Sequence, residues 1–292
     1  MYVVVGASGF LGSYLIRAIL EKTDDHVLAV ARSVHDGERN TRLSWMSCDV
    51  TRHGDILALQ DRAGREKVKV LYLAAMHHPD EIRSFPLQAW NTDITALADF
   101  LGVFGSVEAL YYASTEVVYG ETGGLPVDES APLCPVSRYG ELKALAENMV
   151  ITAGYNVVRY PVLMGPSLVA GRKHFYDEIV DSVAGGKRME MFCDQRRSML
   201  DFGTAAELTV RLMECGTARR YRVVNIAGDE PLSKYETARR IIRAQGMDES
   251  LIVPVAMKDS PVFREKRASE TILDNSLAKR LLHLDSITMR FI

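Results

Sequence analysis

The stretch that decides the reading is Tyr2-Val3-Val4-Val5-Gly6-Ala7-Ser8-Gly9-Phe10-Leu11-Gly12-Ser13-Tyr14-Leu15. An apolar, β-branched run enters three glycines spaced G-x-x-G-x-x-G, and an amphipathic segment over residues 10–21 follows. A strand meeting a helix through glycines lets the backbone turn tightly and approach a pyrophosphate at the helix N-terminus. Gly6, Ser8, Gly9, Phe10 and Leu11 are therefore candidate cofactor-binding residues, while Gly12 is read as letting helix and strand pack closely. The bland alternative, an ordinary strand-to-helix turn, loses ground because this turn follows the first strand of an alternating pattern.

Outward from that turn, short β-branched runs alternate with longer amphipathic stretches, the pattern of parallel strands joined by crossover helices. Strands are predicted at residues 2–5, 27–31, 43–46, 69–74, 109–113 and 156–160, and helices at 10–21, 55–63, 87–104 and 137–153. The expected fold is α/β: a Rossmann-type doubly wound parallel sheet with a smaller C-terminal substrate-binding lobe. Residues 120–135 hold three glycines and three prolines and read as a surface loop. After Tyr160 the alternation becomes irregular, with Pro161, Gly165, Pro166 and Gly171 before a helix at 175–183. The division expected is a dinucleotide domain over 1–160, rejoined by a strand near 221–227, with 161–292 mainly the substrate lobe. The chain stops at Ile292 soon after Leu281-Leu282, so no closing helix and a reduced lobe are expected.

Composition narrows the function. The 292 residues are 47% apolar and 25% charged with net charge −3, which gives no basic excess for a phosphate backbone, so nucleic acid is an unsuitable partner. The longest apolar run, residues 70–76, is far short of the roughly 18 residues that span a bilayer. The start lacks a basic stretch before an apolar one, as a secretory signal would have. Cys48, Cys134, Cys193 and Cys215 are scattered, without the close pairs of a zinc site or redox disulfide, so no metal and a reducing, cytoplasmic setting are expected.

At the end of the second strand an acidic residue would hold the adenosine ribose hydroxyls and a basic one would accept a 2′-phosphate. The chain reads Val30-Ala31-Arg32-Ser33. Arg32 favours NADP(H), with NAD(H) as the alternative. Further on, Tyr139-Gly140-Glu141-Leu142-Lys143 puts a phenol and an ammonium on one face of a predicted helix. A neighbouring cation is expected to favour the phenolate and lower the pKa of the phenol toward neutrality, and Thr115 could hold a substrate oxygen beside Tyr139.

Taken together, the glycine turn, Ser114-Thr115, Tyr119-Gly120 and Tyr139 with Lys143 resemble the extended short-chain dehydrogenase/reductase family, particularly its nucleotide-sugar branch. Asp49-Val50 resembles that family's adenine-binding pair, Leu73-Ala74-Ala75 its strand-end turn against the cofactor, and Asn91 its central helix asparagine. Arg159-Tyr160-Pro161, with Val162 and then Gly165-Pro166, resembles the segment passing the nicotinamide, and Asn225-Ile226-Ala227-Gly228 the late strand. The resemblance implies Thr115, Tyr139 and Lys143 as catalytic residues, Lys143 also holding the nicotinamide ribose. It implies a homodimer through paired helices at 87–104 and 137–153, on which Trp90, Leu97, Leu101 and Phe104 read as core or interface.

Within that family, sugar 4,6-dehydratases carry Thr-Asp-Glu and epimerase-reductases of the GDP-fucose synthase type a cysteine two residues after the threonine; here stand Thr115-Glu116-Val117. Elimination and proton abstraction both lack their base, which leaves hydride transfer at a carbonyl. The pattern is similar to dTDP-4-dehydrorhamnose reductases, and Met76-His77 and the stretch 267–275 fit the same group. The reading is a reductase of a nucleotide-linked 4-keto sugar. The alternatives are a nucleotide-sugar 4-epimerase, a reductase of a non-sugar carbonyl, or a non-catalytic NADP(H)-sensing protein. Candidate substrate residues are His77, Ser114, Glu116, His174, Arg196 and Arg197, with His174 also readable as a helix cap and the two arginines as solvated loop charges.

Overall fold

The structure, a computed structural model, describes residues 1–33, 40–64, 67–257 and 263–292. In chain order the strands and helices begin β1 (Tyr2–Val5), α1 (Phe10–Lys22), β2 (Val27–Ala31), β3 (Leu43–Ser47), α2 (His53–Ala63) and β4 (Lys69–Tyr72). They continue α3 (Pro79–Ser84), α4 (Pro86–Trp90), α5 (Ala96–Val103), β5 (Ala109–Thr115), β6 (Pro126–Val127), α6 (Arg138–Thr152), β7 (Asn156–Tyr160) and β8 (Leu163–Met164). Next come α7 (Phe175–Ala184), β9 (Met189–Phe192), β10 (Arg196–Arg197), β11 (Leu200–Asp201), α8 (Phe202–Glu214) and β12 (Val223–Asn225). The last are β13 (Leu232–Ser233), α9 (Lys234–Ala244), β14 (Ile252–Val255), β15 (Glu270–Leu273) and α10 (Ser276–Leu282).

Seven strands form a parallel sheet in the order β12-β7-β5-β4-β1-β2-β3, a doubly wound α/β arrangement. Its central strands are buried throughout because helices cover both faces, hence the unbroken apolar runs of β1 and β2. Strand alternation assigns the faces: Tyr2 and Val4 join the core beneath α1 and α8, whereas Val3 and Val5 join the one beneath α2, α5 and α6. The order reverses between β1 and β4, which opens the crevice at their carboxyl ends where such sheets bind ligands.

The second lobe is built from smaller pieces: the parallel pair β9 and β14, a four-stranded sheet β13-β10-β15-β6, and helices α7 and α9 around Ile179, Val183, Met191, Leu232, Ile241, Ile242 and Ile252. Three expectations are corrected. The single helix expected at 87–104 is broken into α4, a π-turn at Asn91–Thr95 and α5. The loop 120–135 contains β6, which gains its partner only from β15 far along the chain. A terminal helix, α10, does exist, and it packs on α8 and β12, so it covers the large sheet rather than the lobe.

Candidate active site

A groove of about 390 Å³ runs along the carboxyl ends of β1, β2 and β4, toward the lower end of the range of ordinary small-molecule sites. Gly6, Ser8, Gly9, Arg32, Asp49, Val50, Leu73, Ala74, Ala75, His77 and Asn91 all line it. Its floor depends on absent side chains: Gly6 has φ +89°, and a Cβ there would lie 3.0 Å from the Ala74 nitrogen. A Cβ on Gly12 would lie 2.7 Å from the Gly6 carbonyl, so this glycine seats α1 against the turn. Phe10 and Leu11 turn their side chains away from the groove, Phe10 onto His174 and Phe202 and Leu11 onto the core, which leaves their first-turn backbone amides for a ligand.

β5 pairs with β4, and its end meets the start of α6; Thr115, Tyr139 and Lys143 stand at this junction and are not among the residues lining the groove. Ser137 caps α6, its hydroxyl accepting from the Gly140 amide at 3.3 Å, and this sets Tyr139 in the first turn. The Thr115 side chain lies close enough to the Tyr139 phenol to stabilise its ionised form. Lys143 lies one turn further along, its buried ammonium donating to the Tyr112 hydroxyl and the Ala113 carbonyl, both at 2.9 Å. The expected lowering of Tyr139 by Lys143 is therefore not present in this arrangement. Burial and then the Asp93 charge push the phenol above its ordinary value, opposed by the Thr115 side chain. Burial likewise brings Lys143 down to about 8, against the pull of Asp93 and Glu147. His77 on the groove wall is within electrostatic reach of Lys143, which ties this junction to the groove.

Several candidates are committed elsewhere. Ser114 is buried and its hydroxyl donates to Glu147, so it does not line the pocket; the reason is that β5 alternation turns it toward α6. Glu116 is buried against Arg197 at 2.9 Å, and Arg197 gives three further donors to the carbonyls of Arg196, Ala268 and Ser269. These two hold the second lobe to the end of β5 rather than standing open to a ligand. Burial raises Glu116 to about 8, opposed by Arg197 and the Val162 amide. Arg196 is exposed and donates to the Pro231 carbonyl. The Tyr160 hydroxyl bonds Thr209 at 2.6 Å on the far face of the sheet, Pro161 is buried, and Val162 packs into the second lobe. His174 caps α7, its Nδ1 accepting from the Tyr176 amide at 3.2 Å while Asp177 closes the box on the His174 amide at 2.7 Å, which is the capping reading. Leu97, Leu101 and Phe104 are core, whereas Trp90 is half exposed.

Two features escaped sequence reasoning. Asp93, in the π-turn, is buried; one oxygen accepts from the Met76 amide at 2.7 Å and the other has no hydrogen-bond partner. The available signal was its spacing, Asp93 falling one turn before Leu97 on the apolar face of the predicted helix. The other is Lys234, whose ammonium sits 5.4–5.8 Å from the rings of Phe175, Phe192 and Phe263 near Arg197 and Arg267. Burial, then the two guanidinium charges, bring it down to about 8, and no described carboxylate pairs with it. No local pattern signals this cluster, since its members come from four distant segments.

The model of the NAD dependent epimerase/dehydratase family matches residues 2–227. The chain belongs to that family. A probable low-salt glycan biosynthesis reductase, Agl14 of Haloferax volcanii, is 25% identical over 276 residues, covering 91% of this chain and 87% of that protein. A UDP-glucose 4-epimerase of Lactobacillus helveticus is 25% identical over 176 residues, 56% of this chain and 52% of that protein. Among solved structures, UDP-glucuronic acid 4-epimerase from Bacillus cereus, in complex with UDP-glucuronic acid and NAD, has TM-score 0.82 at 21% identity, covering 99% of this chain and 95% of that one. A hypothetical dTDP-4-dehydrorhamnose reductase from Sulfolobus tokodaii has TM-score 0.79 at 20% identity, covering 99% and 97%. As a member of the NAD-dependent epimerase/dehydratase family, the protein is an NAD(P)-dependent oxidoreductase. The residues present fit such a cofactor: the glycine-floored turn leaves room where any Cβ would intrude, and the first-turn amides of α1 supply anion donors. Among the described residues no helix is long and apolar enough to cross a membrane, and no cluster could hold a metal ion.

Proposed function

We propose that this protein is an NADP(H)-dependent reductase of a nucleotide-linked 4-keto sugar. The observation that carries the reading is the approach of Tyr139 to Thr115 where β5 ends against α6, with Lys143 one turn beyond and its charge acting on His77 of the groove wall. When bound, the nicotinamide supplies hydride to the carbonyl carbon. Thr115 orients the carbonyl oxygen, Tyr139 gives it a proton, and Lys143 holds the nicotinamide ribose. A phenol kept protonated by burial suits the donor role in this direction of reaction. Arg32, exposed on the groove beyond β2 where no acid stands, supports NADP(H). Support for an anionic substrate comes from Lys234 and Arg267 beside Phe192 and Phe263, cations and rings of the kinds that bind phosphates and stack on bases.

Tyr139→Phe is expected to lower turnover about 10³-fold with cofactor affinity nearly unchanged, as for loss of a proton donor. Retained turnover would overturn the assignment. Arg32→Ala is expected to weaken NADPH binding about tenfold and leave NADH binding unaltered, read by fluorescence titration. A second reading, a 4-epimerase, is favoured by the match to UDP-glucose 4-epimerases. The two part on stoichiometry: the reductase consumes one NADPH per product, the epimerase none. The exposed face of Phe85, Leu87, Trp90 and Leu145 supports a homodimer through α4 and α6. Four free cysteines among the described residues fit a reducing, cytoplasmic setting.

A further inference from the structure

Behind Tyr139 lies a pocket of polar groups more deeply buried than the reaction as described requires. Asp93 reaches it from the π-turn Asn91–Thr95, which packs directly against α6. Such turns interrupt a helix at some cost and concentrate at functional sites. One Asp93 oxygen ties down the Met76 amide on the groove wall, while the other is buried and unpartnered. The Tyr72 hydroxyl is buried and unpartnered beside it, and the Tyr112 hydroxyl accepts from Lys143.

We infer that Asp93 is a positioning residue for Lys143, its carboxylate being the counter-charge that keeps this buried lysine in the ammonium form needed to hold a dinucleotide. The inference rests on the reductase reading and names a further residue of the same site. The groups facing Lys143 are Asp93 from the π-turn, Tyr112 from β5, Glu147 from its own helix and His77 from the groove wall. Of the two carboxylates, Glu147 is already engaged by Arg159 and Ser114. Asp93 alone of the two keeps an oxygen free. Burial pushes Asp93 up to about 6, with the Lys143 charge opposing it, so each group modulates the ionisation of the other.

The test is the pH dependence of NADPH affinity, measured by fluorescence from about pH 6.5 to about 9.5, in the wild type, Asp93→Asn and Asp93→Ala. The wild type should bind tightly at neutrality and weaken about tenfold as Lys143 loses its proton near 8. Asn preserves the acceptor for Met76 without the charge, so D93N should match the wild type at the acid end and lose affinity about one pH unit earlier. D93A also releases the groove wall and should bind less tightly at every pH. A D93N profile that coincides with the wild type, or a wild-type profile flat across the range, would overturn the inference, and the second result needs no folded variant. A wild type that binds neither NADPH nor NADH at any pH would instead overturn the reductase reading beneath it.

Discussion

Lys143 and Glu147 stand one turn apart on α6, both buried, and belong to clusters of opposite character. Around Glu147 the donors and acceptors are matched: Arg159 meets both carboxylate oxygens, Ser114 adds a third donor, and Tyr119 and Asn225 extend the chain of bonds to the sheet edge. Around Lys143 they are not. An Asp93 oxygen and the Tyr72 hydroxyl lack partners, and the ammonium is held well below its ordinary value. A buried network with every member satisfied locks β5, α6 and β7 together, whereas buried groups left unmatched around a desolvated cation are the kind of arrangement that concentrates at functional sites. The difference teaches that burial of charge has no single meaning on this helix; the matching of partners separates framework from chemistry.

The sharpest way to break the comparison is Glu147→Leu, which leaves the Arg159 guanidinium buried without its carboxylate. A loss of about 3 to 5 kcal/mol is expected from the urea midpoint, because an uncompensated buried charge costs far more than the pair contributes. Next is Lys143→Met. Turnover should fall about 10²-fold or more, yet stability should change by less than about 1 kcal/mol, since this cation is already desolvated and weakly matched. If both variants lost stability alike, the distinction between the clusters would collapse.

The smallest expected effect sharpens the comparison on the acid side. His174 is held down to about 4 by burial, so its neutral form is the one the fold favours. Stability should therefore be full above the ordinary histidine value and fall as pH drops from about 6.5 through 4, by about 2 kcal/mol after discounting for partial exposure. Asp93, pushed up to about 6 by burial, acts in the opposite sense, its contribution being present at low pH and lost as pH rises through that value. His174→Asn keeps a capping acceptor but cannot titrate, so melting temperatures at neutral and acid pH should lose the histidine slope and leave the Asp93 slope visible.

The legible parts of the sequence were those whose causes are local. The alternation of β-branched and amphipathic segments gave six strands of the large sheet within a residue or two at most ends, because burial on both faces leaves an unbroken apolar run. The helix at 137–153 was legible for the same reason, its Ser137 cap and first-turn Glu141 being neighbours in sequence. Ser114, Glu116 and Arg197 were not. They carry the residue types of a substrate pocket, yet their partners Glu147, Arg197 and the carbonyls of Ala268 and Ser269 approach from elsewhere in the chain. Lys234 was invisible on the same account, its aromatic cage being assembled from α7, β9 and the segment before β15.

By itself the sequence determined a glycine-floored turn between a strand and a helix, a phenol and an amine spaced for one helix face, and the absence of an acid after the second strand, since each follows from residues a few positions apart. Tertiary structure alone decided which buried charges are matched, that Lys143 bonds Tyr112 rather than holding down Tyr139, and that the Asp93 charge acts on it from the π-turn. The physical reason is that ionisation and hydrogen bonding respond to what lies within a few ångströms in space, and the chain order does not fix those distances until the helices have packed.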